Sequence, residues 1–250
     1  MKFDIKKTVI AASMFMTLCA HAGSVTVNAG GTYKGLTFNG GDTISFSTDL
    51  LGAFDTGKVE LSPFNGAVGD IQKDADGYYS QGAVMAPLGS VVMDDTTNRI
   101  VRGYSHGGST QTAPALRSVS SGGYVTLSDL WIDRGAKVVH ATLIGGNGVG
   151  TINDVIVWNV ANIADDLPIT GVGNYTTTFS GLTMTQPAFD SIKKSLGLLS
   201  LGTSAFAGIT DYGTITSRLT VTATPSIPEP STYALMGLGL VGLCLTARRR

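Results

Sequence analysis

One stretch constrains the fold more than any other: GYVTLSDLWIDRGAKVVHATLIGGNGVGTINDVIVWNV, residues 123–160. Its β-branched and aromatic residues predict strands near 124–133, 137–144 and 151–160. Only two short segments, 134–136 and 145–150, connect these strands. Parallel strands need a crossover of about a dozen residues or more, whereas antiparallel neighbours can be joined by a tight turn. The stretch therefore predicts an antiparallel meander.

Similar patterns of short strands and glycine-containing turns recur through the rest of the chain. Residues 33–38 and 43–47 read as two strands joined by a turn at 39–42, and residues 214–222 alternate as a final strand. Runs of short strands with scarcely a helix favour an all-β fold over an α/β fold. We expect an antiparallel β-sandwich.

The sequence predicts a single short helix in this body, near 185–199. Thr185 is suited to the N-cap, and Phe189, Ile192 and Leu196 fall on one face at helical spacing. A proline in the first turn fits the same start.

The N-terminus has the pattern of a secretory signal peptide, residues 1–22. Three lysines lie in the first seven residues, and an apolar run of 13 residues, 8–20, follows them. Ala20 and Ala22 supply the two small residues of a cleavage site, so that cleavage leaves Gly23 as the new N-terminus. The alternative is an uncleaved N-terminal anchor.

The C-terminus combines a proline-rich linker, a short apolar segment and an arginine cluster. Prolines at 225, 228 and 230 favour an extended backbone. The 15 uncharged residues Tyr233–Ala247 would span about 22 Å as a helix, against a hydrocarbon core of about 30 Å. The sequence predicts a short transmembrane helix at 233–247, with the arginines on the cytoplasmic side.

This arrangement resembles the PEP-CTERM sorting signal, over residues 225–250. The sorting motif is Pro-Glu-Pro, followed by a Gly/Leu-rich span and a terminal positive anchor; the matching residues are Pro228, Glu229 and Pro230, then Arg248, Arg249 and Arg250. The resemblance implies a Gram-negative bacterium, an exosortase-type membrane protease that processes the tail, and association with extracellular polysaccharide. Such a tail is also called an ice-binding protein C-terminal domain, which implies nothing about the body.

The two signals together predict where the protein goes and what handles it. We expect export across the inner membrane by the secretion machinery and signal peptidase. The C-terminal helix then anchors the chain, transiently or permanently, before it reaches the cell surface or the extracellular space. Exosortase and, by resemblance, extracellular polysaccharide are the expected partners.

Between the signals lies a body of 202 residues, 23–224, which is a normal length for one all-β domain. A boundary near 113–122 is the alternative. Eleven basic and sixteen acidic side chains give the body a net charge of −5, which argues against nucleic-acid binding. Both cysteines, Cys19 and Cys244, lie in the terminal segments. The body therefore has no disulfide or cysteine metal site, and we predict no cofactor and no metal.

Several motifs in the body suggest chemistry that their context does not support. Gly103–Gly107 matches the G-x-S-x-G nucleophile elbow around Ser105, but the segment after it contains Pro114 and does not predict the required helix. Residues 146–150 are glycine-rich yet lead into a strand, so they predict a hairpin loop. Glu60 is the only glutamate of the body, and no aspartate stands out as its partner for glycoside hydrolysis.

Loose calcium binding by adjacent aspartates, at 74 and 76 or at 94 and 95, is an open alternative to solvated turns.

These observations predict a non-enzymatic exported protein of the cell surface or matrix. The alternative is a carbohydrate- or ligand-binding β-sandwich module that uses Trp131 or Trp158, with tyrosines such as Tyr124 nearby. A buried core position is the simpler interpretation of either tryptophan. A hydrolase based on Ser105 is the third hypothesis.

Overall fold

A computed structural model describes residues 23–225 and, in the tail, Leu235, Met236 and Leu238. The body forms thirteen strands and three helices in the order β1 Ser24–Asn28, β2 Thr32–Tyr33, β3 Leu36–Phe46, α1 Thr48–Gly57, β4 Glu60–Phe64, β5 Val68–Lys73, β6 Tyr79–Asp94, β7 Ile100–Ser105, β8 Gly108–Leu116, β9 Ser120–Asp133, β10 Val138–Gly145, β11 Gly150–Ala164, β12 Gly173–Met184, α2 Gln186–Ser195, α3 Ser200–Ala207 and β13 Gly213–Ala223.

All thirteen strands belong to one sheet that closes on itself. Its central path runs β6, β3, β13, β12, β11, β10 and β9. Strand β7 pairs with both β9 and β6, which completes a ring of eight strands. Each ladder in the described body is antiparallel, which is consistent with the predicted all-β sandwich.

The predicted meander and the predicted last strand are confirmed. Strands β9, β10 and β11 follow one another as antiparallel neighbours, joined at the two predicted connections. Strand β13 spans the predicted final strand and lies between β12 and β3. Local side-chain alternation and short turns are sufficient signals for β9–β11 because these three strands pair mainly with strands that are near in sequence.

The predicted strand–turn–strand at 33–47 is wrong. One continuous strand, β3, runs from Leu36 to Phe46 and pairs with β13 along its whole length. A Cβ atom on Gly40 would lie 2.0 Å from the backbone oxygen of Arg218. The glycine therefore permits a close approach of two strands, and it does not form a turn.

The helix after Thr185 is confirmed, but the prediction of only one helix is wrong. Helix α2 begins after Thr185, whose hydroxyl accepts a hydrogen bond from the N–H of Ala188, and it ends at Ser195. Helix α1 is capped in the same way by Ser47. Helices α1 and α3 contain glycines and have weak helical patterns, so they depend on tertiary packing of residues such as Leu50 and Phe206.

The buried apolar side chains form two clusters. The larger one includes Leu143, Phe179 and Ile192, and all three helices contribute to it. The smaller one includes Phe38 and Met93 and is formed by β1, β3, β6, β7 and β13, together with the loop before β12. The body can therefore stabilise its fold by apolar burial without a disulfide.

Two ionisable side chains, Asp42 and Arg134, are buried near the apolar clusters. Asp42 is buried, and burial is the main cause that raises the pKa of its carboxyl above the usual value. The guanidinium of Arg134 is also largely buried, which lowers its pKa, and it forms an ion pair with Asp166. Asp42 lines a small cavity beside Ile44 of the larger cluster, and Arg134 lines another beside residues of the smaller one.

Several sequence predictions concern the chain ends. The signal peptide with Ala20 and Ala22, the Pro228–Pro230 motif and the terminal arginines lie outside the described residues. Of the predicted transmembrane segment 233–247, only three residues are described, and they are helical. Within the described part of the chain, no helix has the length and apolar character needed to cross a membrane.

Candidate functional site

The outer surface of β9 carries two carboxylates and an indole in alternation. Asp129, Trp131 and Asp133 point outward, whereas the intervening Leu130 and Ile132 are buried. This alternation is what a strand with one buried face produces. The neighbouring strands β7 and β10 therefore present their own outward side chains beside Trp131.

An aromatic stack crosses these three strands. It consists of Tyr104 on β7, Trp131 on β9 and His140 on β10, which are paired residues in the two ladders. The Tyr104 and Trp131 ring centroids are 5.6 Å apart with an angle of 20° between the planes. The Trp131 and His140 centroids are 3.7 Å apart with an angle of 15°. Stacked aromatic pairs of this kind contribute beyond the burial of their area.

Asp154 on β11 connects the indole to the imidazole. Nε1 of Trp131 donates a hydrogen bond of 3.0 Å to Oδ1 of Asp154. Nδ1 of His140 lies 2.8 Å from the same oxygen, without the angle of a hydrogen bond. Asp154 has a φ of 58°, at a point where the β10–β11 register shifts. The bulge thus places the carboxylate at the polar edges of both rings.

Arg102 and Asp133 form the charged side of the stack. Nε of Arg102 lies 3.2 Å from Oδ2 of Asp133, and its guanidinium carbon lies 5.5 Å from the Trp131 ring centroid. The hydrogen bond to Asp133 raises the pKa of Arg102. A backbone N–H, from Ala136, is the largest cause that lowers the pKa of Asp133, and Arg102 adds to it. Both groups are therefore held in their charged forms at neutral pH.

The two tryptophans have very different positions. Trp158 is 2% exposed and belongs to the larger apolar cluster, so it offers no ring face to a ligand, and we correct its assignment as a candidate binding residue. Trp131 is half-buried, and rings cover both of its faces. Tyr124 is exposed, but it packs near Gly146 at the other end of β9. What the stack presents to solvent is ring edges and charged groups.

The sequence predicts Trp131 as a candidate ligand residue but gives no indication that Tyr104 or Asp154 lies beside it. The strand pairing of β7 with β9 brings together residues about 30 positions apart, and nothing in the local pattern indicates it. One signal could have indicated the site. Arg102 and Tyr104 on β7, like Trp131 and Asp133 on β9, are two positions apart, so each pair of one charged and one aromatic residue lies on one face of its strand.

Ser105 does not have the geometry of a nucleophile elbow. It is buried at the end of β7, its Oγ donates a hydrogen bond of 3.1 Å to the backbone oxygen of Leu130, and β8 begins at Gly108. The elbow needs an exposed serine at the start of a helix. His140 lies on the outer face of the sheet, opposite to the side that Ser105 faces.

The glycine-rich loop and the two aspartate-containing turns lie between strands, as the sequence predicts. Residues 146–149 form the β10–β11 hairpin loop, as predicted. Oδ1 of Asp74 accepts hydrogen bonds from the N–H groups of Asp76 and Tyr78, and Oδ1 of Asp94 accepts them from Thr96 and Thr97. These backbone bonds lower the pKa of Asp94. In the part of the chain that the structure describes, no three potential metal ligands cluster together.

Comparison with known proteins identifies the tail. Residues 226–250 match the family model of the PEP-CTERM protein-sorting motif. The resemblance in the sequence is therefore confirmed. The motif implies export and processing by an exosortase-type membrane protein. The match covers about a tenth of the chain and gives no family for the body. No curated protein and no solved structure matched the chain.

Proposed function

We propose that the chain is an exported, non-enzymatic protein of the cell surface or of the extracellular polysaccharide matrix. The sorting motif at residues 226–250 carries this proposal, because it directs a protein to export and to processing by an exosortase-type membrane protein. The acidic, cysteine-free β-sheet body is suited to a matrix component or adhesin that works through its surface. The burial of Ser105 supports the non-enzymatic part of the proposal.

The sorting step can be tested in the producing bacterium with the full chain. Replacing Pro228, Glu229 and Pro230 by alanine should leave the protein in the membrane fraction, whereas the natural chain should reach the surface or the medium. Pro225→Ala is the matched control because this proline lies outside the motif. Equal release of all three chains would contradict the proposal.

Two measurements on the released protein complete this test. Mass spectrometry of its C-terminus should show that the arginine cluster has been removed; an intact Arg250 on surface-exposed protein would mean permanent anchoring. Purified protein should not turn over polysaccharides, esters or peptides. An appreciable rate on any of these substrates would contradict the non-enzymatic role.

A second candidate function is binding of a carbohydrate at the aromatic stack. The observation that favours it is the outward row of ring edges and charged groups around Trp131, with Arg102, Asp133 and Asp154 at its sides. Sugar hydroxyls can form hydrogen bonds with such charged groups, which are the polar groups that fix the orientation of a bound ligand.

The buried Trp158 makes a selective fluorescence test possible. In Trp158→Phe, all tryptophan emission comes from Trp131, and in Trp131→Phe it comes from the core. Titration with fragments of the bacterium's own polysaccharide should change the emission of the first variant alone. No change in either variant would exclude the stack as the binding site, and a glycan array would then show whether another surface binds.

A further inference from the structure

The first residue after the predicted cleavage site is held by an aspartate. The backbone nitrogen of Gly23 donates a hydrogen bond of 3.1 Å to Oδ1 of Asp95. The backbone oxygen of Gly23 accepts a second bond, of 3.0 Å, from the N–H of Asp95. Strand β1 then begins at Ser24, which pairs with Asp94 on β6. Gly23 is therefore fixed at both its backbone nitrogen and its oxygen, just before a strand.

The carboxylate of Asp95 lies close to the backbone of Gly23. A Cβ atom on this residue would lie 2.6 Å from Oδ2 of Asp95. Because that carboxylate would have to move for any other residue, glycine and Asp95 fit each other. Asp95 is held in turn by Thr96, whose hydroxyl donates to Oδ1 over 3.2 Å, and by Lys34, whose ammonium donates to the backbone oxygen of Asp95 over 3.2 Å.

We propose that Asp95 is the receptor for the α-ammonium group that signal peptidase creates at Gly23. Hydrolysis of the Ala22–Gly23 bond consumes one water and leaves a carboxylate on Ala22 and an ammonium on Gly23. The amide N–H beside Asp95 thereby becomes a cation, so a hydrogen bond from a neutral donor to the carboxylate becomes one between two charged groups. Cleavage is then part of how the fold of the mature body is completed. This inference rests on the predicted cleavage site, not on the proposed function.

The charge pair also distinguishes the correct cleavage position from its neighbours. One additional residue would carry the ammonium group up to about 3.8 Å along the chain, beyond direct contact with Oδ1. The charged groups around Gly23 are the carboxylates of Asp94 and Asp95 and the ammonium of Lys34. The ammonium of Lys34 also donates to Oδ1 of Asn98 over 2.9 Å.

The test uses the full chain exported through its own signal peptide, with the N-terminus identified by mass spectrometry. NMR of glycine-labelled protein measures the pKa of the Gly23 α-amino group, which is about 7.7–8.0 in an unstructured chain. We expect this pKa to lie above that range in the natural protein. In Asp95→Asn it should be lower than in the natural protein by about half a unit or more. Asp76→Asn, an exposed loop variant, should leave it unchanged.

Thermal unfolding gives an independent measurement with a defined sign. The pair raises the pKa of the α-amino group in the folded state, so its stabilisation is present below about pH 8 and is lost as the pH rises through the folded pKa. The difference in Tm between natural protein and Asp95→Asn should therefore be larger at pH 6 than at pH 10. An α-amino pKa within the unstructured range in the natural protein overturns the proposal, even if the variant does not fold. A mature chain that begins at another residue also overturns it.

Discussion

The imidazole of His140 lies parallel to the indole of Trp131, with the ring centroids 3.7 Å apart. The two residues face each other across the β9–β10 ladder, so the contact depends on the register of the meander. It covers one face of the indole, while Tyr104 covers the other. The exposed part of Trp131 is consequently its edge, and its environment reports directly on the stack.

Removal of the imidazole should therefore destabilise the body and expose the indole. For His140→Ala we expect a loss of about 0.5–1.5 kcal/mol in the free energy of unfolding, which is typical of a stacked pair. We also expect a red shift of the Trp131 emission. Urea unfolding followed by fluorescence measures both effects, with the buried Trp158 as an internal reference. His106→Ala is the matched control, because His106 is mainly exposed and lies outside the stack. Equal effects of the two variants would contradict this assignment.

The buried Asp42 predicts a stability that changes with pH. Burial raises its pKa in the folded state above the unfolded value of about 3.9. Between the two values the folded chain holds a proton that the unfolded chain has lost, so this group's contribution to stability falls as the pH rises. Asp42→Asn removes the titration. The variant should therefore be more stable relative to the natural protein at pH 7 than at pH 4. The measure is the difference between their free energies of unfolding at each pH.

Urea unfolding at both pH values measures this difference. Arg134 acts in the opposite direction, since its charge favours the ionised form of Asp42. Asp76→Asn, in an exposed turn, is the control. If the advantage of Asp42→Asn is smaller at pH 7 than at pH 4, the attraction of Arg134 outweighs burial and the prediction fails.

The sequence predicts those parts of the fold that depend on local pattern. Strands β9–β11 and β13 and the start of helix α2 follow from alternation, short turns and the capping Thr185. Local pattern does not predict structure that depends on contacts between segments far apart in the sequence. In the sequence, Gly40 suggests a turn. In the structure, it permits the close approach of the backbone of Arg218, more than 170 residues later in the chain. In the same way, Trp131 is a plausible ligand residue in the sequence, but its covered faces depend on the β7–β9 pairing.

The close approach at Gly40 predicts a large difference between two glycine substitutions in strands. Gly40→Ala should lower the free energy of unfolding by about 1–3 kcal/mol or more, since its Cβ would meet a backbone oxygen that cannot move alone. Gly103→Ala in β7 has open space around its Cβ and should be neutral or slightly stabilising. Urea unfolding of both variants checks this. A similar loss in both would mean that the β3–β13 contact is not the cause.

Ser105 provides the decisive test between a structural and a catalytic role of the G-x-S-x-G segment. Its hydroxyl is buried and donates to the backbone oxygen of Leu130, so Ser105→Ala should cost about 1 kcal/mol of stability through the lost hydrogen bond. Ser109→Ala is the matched control, because Ser109 is also buried in a strand and accepts a hydrogen bond from Gln111 over 2.8 Å. We expect similar losses in urea unfolding for both variants. Neither should change any ester or peptide hydrolysis detected in the natural protein. Loss of such activity in Ser105→Ala alone, in a chain that still folds, would identify Ser105 as a nucleophile and would overturn the non-enzymatic role.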